Sequence, residues 1–382
     1  MSLKRRKILI VANVDNFHVN FHLPLIKKLS KDWDVDIASN GQHQFQNISV
    51  KYHVPFGRNP FDLSNFKALS VIKNIISKCD YDIIFCHTPI VGFLTRYCLV
   101  QTRKRSSCLI YSAHGYSFYS GSSLISNLIY KRLEKFLSSR NDVVITMNSE
   151  DYHSAKKYNL GRSIVAVNGV GLDLAKFSPI TRDEKFTLRT KFNFDIDDFI
   201  LVYPAEFTKR KNQKKLISIF NDVRQRIDRV HLILIGQGDL LEECKNFAFK
   251  LGADKDIHFL GYRNDVDDLL KCSDLLVTTS ISEGLPVCVQ EALASGLPVV
   301  ASKIRGHTDL IVDNENGFLV DLKDNYVAVE EIVSLARNKE LYERMSINAR
   351  KSVHIYDSDT VSDDYIMTFE NAIEYSMLYH KI

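Results

Sequence analysis

Phe199-Ile200-Leu201-Val202-Tyr203, then an amphipathic segment over residues 212–227, then Val230-His231-Leu232-Ile233-Leu234-Ile235, is the stretch that decides the fold class. Short unbroken apolar runs belong to strands buried on both faces, and a helical period between two of them makes a βαβ unit with parallel strands. The rhythm continues with strands predicted at 257–259, 275–278 and 299–301 and helices at 240–251, 266–272 and 287–294. The first half repeats it independently. Strands are predicted at 7–12, 35–38, 82–86, 108–112, 143–146 and 164–167, and helices at 21–30, 63–79, 91–101 and 124–137. Two such sets predict an α/β chain of two Rossmann-like domains, residues 1–178 and 179–359, with the linker near Phe177-Ser178-Pro179. Tyr365, Met367, Phe369, Ile373 and Met377 recur at helical spacing near the C-terminus, so residues 360–382 form a helix that needs a packing partner. Ligands of open α/β sheets bind beyond the carboxyl ends of the strands, which makes the cleft between two facing sheets the expected site.

The 382 residues are 45 % hydrophobic and 25 % charged, values that exclude a disordered, collagen-like or coiled-coil chain. No apolar run reaches the length needed to span a bilayer, and the run 8–12 after Met1 is too short for a secretory signal. Seven cysteines, none in a C-x-x-C, read as thiols of a reducing compartment without a metal site. Residues 1–175 hold 23 Lys and Arg against 12 Asp and Glu, whereas the remainder holds 27 against 34. A basic half suits an anionic membrane or substrate, or is a solvated surface with a chance asymmetry. No helix-turn-helix, zinc-finger or aromatic RNA-binding signature accompanies it, so nucleic acid is not expected as a partner.

Ser282-Glu283-Gly284-Leu285-Pro286-Val287-Cys288-Val289-Gln290-Glu291-Ala292 is the richest stretch for chemistry. Glu283 precedes a Gly-Leu-Pro turn after a strand, and Glu291 falls about two turns into the next helix. The N–H groups of Gly284, Leu285 and Val287, around Pro286, would open that helix and could cradle a phosphate. Glu291 offers two acceptor oxygens to a diol such as a ribose. On spacing alone, a capped helix with one exposed Glu explains the stretch more simply. Gly236 and Gly238, after the strand 232–235, leave room for a ligand to approach the backbone or form a plain turn. His87 and His114 each follow a predicted strand at the carboxyl edge of the first sheet, where a histidine is either a site residue or a structural one.

Glu283-x7-Glu291 followed by Ala294-Ser295-Gly296-Leu297-Pro298-Val299-Val300 resembles the E-x7-E signature of the retaining glycosyltransferases of family 4. Lys211-Asn212, Ile235-Gly236-Gln237-Gly238, Phe259-Leu260-Gly261-Tyr262, Ser273-Asp274 and Asn316-Gly317-Phe318 recur in family order. In the first half, His87-Thr88-Pro89, Ala113-His114-Gly115-Tyr116-Ser117-Phe118-Tyr119 and Asn168-Gly169-Val170 are similar to the capsule- and exopolysaccharide-building branch. The resemblance implies the GT-B arrangement, with the C-terminal helix crossing back to the first domain. It implies a nucleotide-sugar-binding second domain, an acceptor-binding first domain and a metal-independent reaction without cofactor. The donor is expected to be a UDP-sugar and the acceptor a saccharide, lipid-diphosphate-linked.

Carried over position by position, Glu283 would lie against the donor sugar's hydroxyls and Glu291 would hold the ribose. Lys211 would grip the diphosphate, His114 would lie near the donor sugar, and Arg263 would fall in the loop that meets the base. Glu206 occupies the place of a second phosphate-gripping arginine; a carboxylate cannot replace a guanidinium there, so Arg210 is the candidate substitute. Glu206 then remains for a donor amide or the acceptor, and Asn168 is a further candidate for substrate contact. The first loop, Asn13-Val14-Asp15-Asn16-Phe17-His18, lacks the family's glycines, which leaves Asn16 and His18 as candidate acceptor contacts. Three D-x-D spellings, at 34–36, 195–197 and 265–267, read as strand, turn and helix-cap residues rather than metal ligands. The segment 124–137 mixes apolar and charged residues near Arg103-Lys104-Arg105, so it is either a core-facing helix or one lying on the anionic inner face of the plasma membrane. A cytoplasmic enzyme of surface-polysaccharide assembly is therefore the expectation. A nucleotide-sugar epimerase or hydrolase and a non-catalytic scaffold of the same fold are the alternatives.

Overall fold

The computed structural model describes residues 5–57, 59–101 and 107–379; Arg103-Lys104-Arg105 and the side chain of Met377 lie outside the described residues. The chain divides into two compact units, one of Met1–Gly171 with Ser358–Ile382 and one of Leu172–Asp357. The divide precedes the expected linker because Leu172 and Phe177 are buried in the core of the second unit.

The first unit carries seven strands: β1 Arg6–Val14, β2 Trp33–Asn40, β3 Val50–His53, β4 Ile83–His87, β5 Cys108–Ala113, β6 Val143–Thr146 and β7 Ser163–Ala166. Their order is β3-β2-β1-β4-β5-β6-β7, all in parallel. The second unit carries β8 Phe199–Pro204, β9 Val230–Ile235, β10 Ile257–Gly261, β11 Leu275–Thr278, β12 Val299–Ser302 and β13 Gly317–Val320, ordered β10-β9-β8-β11-β12-β13 and again parallel. Each order reverses once, between β1 and β4 and between β8 and β11. Ligands of doubly wound sheets bind at the carboxyl side of such a switch point.

β3 and β13 are edge strands that the apolar-run pattern did not predict. β3 is Val50-Lys51-Tyr52-His53, partly exposed along its length, and lacks a continuous apolar run. The single predicted helix over 21–30 is two short helices, Asp15–Phe21 and Leu23–Leu29, with His22 between them. Residues 15–18, expected as loop, are thus helical. The terminal helix Ser358–Tyr379 belongs to the first unit, where Tyr365 and Phe369 pack against Phe85 at ring distances of 5.6 and 5.0 Å.

Asp274, at the start of β11, ties the second unit together. It accepts Lys185 Nζ at 2.7 Å, Arg189 Nη2 at 2.6 Å and the Ile200 N–H at 2.8 Å. Arg189 is 2 % exposed, so this ion pair is buried. Removing one partner of a buried pair strands the other charge, at a cost of about 3–5 kcal/mol. Asp274→Ala is therefore expected to lower the second unit's unfolding free energy in denaturant by that amount while leaving the first unit's transition in place; an unchanged second-unit transition in the variant would contradict it.

The D-x-D spellings have structural explanations. Asp36 is buried in β2 and accepts Tyr81 Oη at 2.7 Å, with Lys7 Nζ 3.1 Å away. Asp195 pairs with Arg229 at 2.6 Å. Asp265 stands at the N-cap of the helix Val266–Cys272 but makes no side-chain cap bond, because its carboxylate is held by Arg263. Among the described residues no cluster of three or more His, Cys, Asp or Glu is arranged to hold a metal ion, and no helix is long and apolar enough to cross a membrane. The seven cysteines are free thiols.

Candidate functional site

In the second unit the loops after β8 and β11 meet at the switch point. Glu283 is 7 % exposed and sits inside a ring of donors. Lys211 Nζ lies 2.5 Å from Oε1, Arg210 Nη1 2.7 Å from Oε2 and Ser280 Oγ 2.6 Å from Oε1. Arg210 also donates to the Ser282 carbonyl at 2.9 Å, and Arg305 Nε to the Glu283 carbonyl at 2.9 Å. Burial works to raise the Glu283 carboxyl, and the neighbouring Lys211 and Arg210 charges outweigh it, so Glu283 stays below the usual carboxylate range. Glu283 against Lys211 and Arg210 leaves these three side chains with one net positive charge. Lys211 has three N–H donors, so its bond to Glu283 still leaves donors for an anion.

Three residues that sequence reasoning passed over brace this cluster. Tyr203, buried in β8, donates to Ser280 Oγ at 2.7 Å, because the single Ser280 hydroxyl hydrogen goes to Glu283, and its Oη lies 3.3 Å from the Lys211 carbonyl. Thr279 Oγ1 donates to the Asn212 carbonyl at 2.9 Å. Arg305 enters from the loop after β12. Each sits at or just beyond a strand's carboxyl end, a positional signal available in the sequence but not used.

Glu291 is on the helix Val287–Ala294, which follows Gly284-Leu285-Pro286. Val289 and Gln290 both direct their N–H to the Pro286 carbonyl, and no side chain caps the helix, so its first N–H groups are open to an anion. Glu291 is half-buried and its carboxylate has no partner among the described residues. Burial pushes it up to about 7, with Lys176 opposing and Asp267 adding to the rise. It is the one member of the Glu283–Glu291 pair left uncompensated.

Gly236 and Gly238 have φ of 142° and 150°. A Cβ on Gly236 would lie 2.2 Å from the Ala205 carbonyl oxygen, and one on Gly238 2.5 Å from that of Phe207. The chain's own 205–207 backbone therefore requires both glycines, with or without a ligand. Glu206 is exposed on this segment, its carbonyl accepting Gln213 Nε2 at 2.9 Å. Arg263 is engaged by Asp265, with Nε to Oδ1 at 2.7 Å.

In the first unit the switch point gathers histidines. His87 ends β4 and its Nδ1 is 3.0 Å from Nε2 of His114, just past β5. His18 Nδ1 lies 3.1 Å from His22 Nδ1, and the His22 and His87 rings are 4.3 Å apart. Burial keeps all four neutral, His114 lowered to about 4 and His18 to about 3. His18 and His87 are fully buried, which corrects their expected roles as substrate contacts: the helix Asp15–Phe21 turns His18 inward, and His87 lies within the end of β4 under the rings of His22 and Phe85. Asn16, on the same helix, is exposed, and Asn168 lies half-buried past β7.

Residues 184–352 match the family described as "Glycosyl transferases group 1", and residues 7–148 match "Glycosyl transferase 4-like". The chain is 36 % identical over 349 residues to the "Putative glycosyltransferase EpsD" of Bacillus subtilis (strain 168), covering 91 % of this chain and 92 % of that one. It is 27 % identical over 301 residues to the UDP-Gal:alpha-D-GlcNAc-diphosphoundecaprenol alpha-1,3-galactosyltransferase of Escherichia coli, covering 78 % and 76 %. The crystal structure of Anabaena Alr3699/HepE in complex with UDP and glucose superposes with a TM-score of 0.79 at 18 % identity, over 96 % of this chain and 100 % of that one. That likeness shows the fold, an α/β chain of two Rossmann-like units in the GT-B class. Two family matches that follow one another along the chain, and a relative alike over nearly its whole length, establish that the chain belongs to the family 4 glycosyltransferases.

Proposed function

We propose that the chain transfers a hexose or N-acetylhexosamine from a UDP-sugar to a saccharide carried on a lipid diphosphate, with retention at the anomeric carbon and without a metal ion, in assembly of bacterial surface polysaccharide. The observation that carries this reading is the pairing of a compensated carboxylate, Glu283, held by Lys211 and Arg210, with an unpartnered one, Glu291, eight residues on. The name of the Escherichia relative supports the donor and acceptor classes.

Glu291 accepts the ribose diol. Lys211, Arg210 and the open N–H groups around Gly284, Leu285, Pro286 and Val287 take the diphosphate. Glu283 faces the donor sugar while fixing Lys211, and the loop carrying Arg263 meets the base through its backbone. Gly236 and Gly238 shape the floor. His114 supplies a hydrogen bond to a substrate oxygen from the first unit, where Asn16 and Asn168 receive the acceptor. Glu206 serves a donor amide or the acceptor. The bond from the anomeric carbon to the diphosphate oxygen breaks as the bond to the acceptor oxygen forms on the same face. The acceptor's proton passes to the leaving diphosphate, whose developing charge Lys211 stabilises.

The helix Leu124–Ser138 supports contact with an anionic membrane. Leu124, Ile125, Leu128, Ile129 and Phe136 are exposed on it, with Arg132 and Lys135 among them. Its buried residues are Glu134, Leu137 and Ser138, Glu134 being drawn inward by the fully buried Arg96 at 2.6 Å. Apolar and cationic side chains sharing one outward surface suit a lipid–water boundary.

The test is transfer from labelled UDP-sugars, in EDTA, to a lipid-diphosphate monosaccharide in anionic or zwitterionic vesicles. One UDP released per glycoside formed, retained configuration by NMR and faster transfer on anionic vesicles are expected. Free sugar or an epimer formed equally fast without acceptor would overturn the assignment.

A further inference from the structure

The pairing of His87 with His114 goes beyond the family's site, and the inference rests on the reading that His114 meets a substrate oxygen. His87 is fully buried at the end of β4. Its Nδ1 is 3.0 Å from His114 Nε2, and its Nε2 has no hydrogen-bond partner among the described residues. The rings of His22 and Phe85 enclose it at 4.3 and 4.1 Å, and Phe17 packs edge-on to His114 at 5.1 Å. Both rings are therefore held in place. Thr88, the next residue, has φ of 63°, a conformation costly for a β-branched side chain, so the corner that stops β4 at His87 is a strained one.

Two neutral imidazoles joined by one hydrogen bond share a single proton between the facing nitrogens. If His114 Nε2 were the donor, His87 would carry its own proton on Nε2, a buried N–H with nothing to receive it. If His87 Nδ1 is the donor, its buried Nε2 is only a bare lone pair, the less costly orphan. The geometry points to His87 as a positioning residue: it donates Nδ1–H to His114 Nε2, fixes His114 as the Nδ1–H tautomer, and so makes the group offered to substrate an N–H donor aimed at an oxygen. A second-layer hydrogen bond that selects the tautomer of a working histidine is an established device.

The experiment is nitrogen-15 NMR of the histidine side chains in the full chain, with steady-state kinetics, for wild type, His87→Asn and His87→Phe. The Asn amide replaces the Nδ1–H donor; Phe fills the volume without one. Wild type and His87→Asn are expected to show His114 protonated on Nδ1. In His87→Phe that signal is expected to move to the Nε2–H form favoured by free imidazole, with turnover falling about tenfold and donor KM little changed. An Nε2–H tautomer in wild type, or no tautomer change in His87→Phe, would overturn the inference even if activity fell. A tautomer change without loss of turnover would instead remove His114 from the proposed substrate contact, and with it the functional meaning of His87. Should His87→Phe not fold, the wild-type tautomer decides alone.

Discussion

Lys211→Ala is expected to lower kcat about 10²- to 10³-fold, the effect of removing one preorganised group from a developing oxyanion. Lys211 is the cation whose ammonium is fixed in place, 2.5 Å from Glu283 and 12 % exposed, whereas Arg210 is 49 % exposed. A charge already held in position needs no reorganisation when the diphosphate departs. The substitution also removes one of the two cations that keep Glu283 ionised, so the melting temperature is expected to fall too. Comparison with Glu283→Gln alone separates the effects: in the double variant Lys211→Ala, Glu283→Gln the amide needs no counter-charge, so stability returns, while turnover stays about 10²-fold or more below that of Glu283→Gln. Recovery of both would show that Lys211 acts only as a structural partner of Glu283.

Glu291→Ala is expected to raise the donor KM about 10- to 100-fold with kcat little changed. Each hydrogen bond to an ionised acceptor is worth roughly 1.5–3 kcal/mol, so losing the pair costs at least about 10- to 100-fold, and an interaction made equally in ground and transition states appears in KM alone. A pH signature accompanies it. The free carboxyl is raised to about 7 by burial, with no hydrogen-bond partner among the described residues to offset it. A diol donating two hydrogen bonds favours the ionised form, so binding expels the proton. Affinity should therefore rise with pH up to about 7 and level above it. The diphosphate titrates in the same range, so the comparison is with Glu291→Gln, in which the part of the slope due to Glu291 should vanish. Identical pH dependence in the two proteins would remove Glu291 from the diol.

Both central sheets were legible because each strand of a parallel α/β sheet is buried on two faces and announces itself as an apolar run. β3 was not, because Val50-Lys51-Tyr52-His53 is held by one neighbour and need not be apolar; β13, Gly317-Phe318-Leu319-Val320, is apolar but its run is only three residues after a glycine. Helix Leu124–Ser138 shows where periodicity falls short. Its apolar residues suited either a core-facing stripe or a lipid-facing one, and periodicity alone did not choose; Glu134 turns in beside Leu137 and Ser138 because Arg96 on the helix Pro89–Gln101 is buried against Tyr111 and needs a carboxylate. No pattern within either helix reveals a pair 38 residues apart. The same holds for the histidines: the order β1-β4-β5 brings His22, His87 and His114 side by side, and that order is a tertiary fact. Glu283, Glu291 and Lys211 were readable as chemistry. Their partition into one compensated and one uncompensated carboxylate needed the positions of Ser280, Arg210 and Arg305.

The most direct test is a calorimetric titration of UDP, with GDP, ADP and TDP alongside and EDTA throughout, into the wild type and Glu291→Ala. One UDP site per chain is expected, with selectivity over the other three nucleotides and a Kd at least about 10- to 100-fold weaker in the variant, the counterpart of at least one lost charged hydrogen bond. Absence of UDP binding to the folded wild type, or equal affinity in the two proteins, would contradict it.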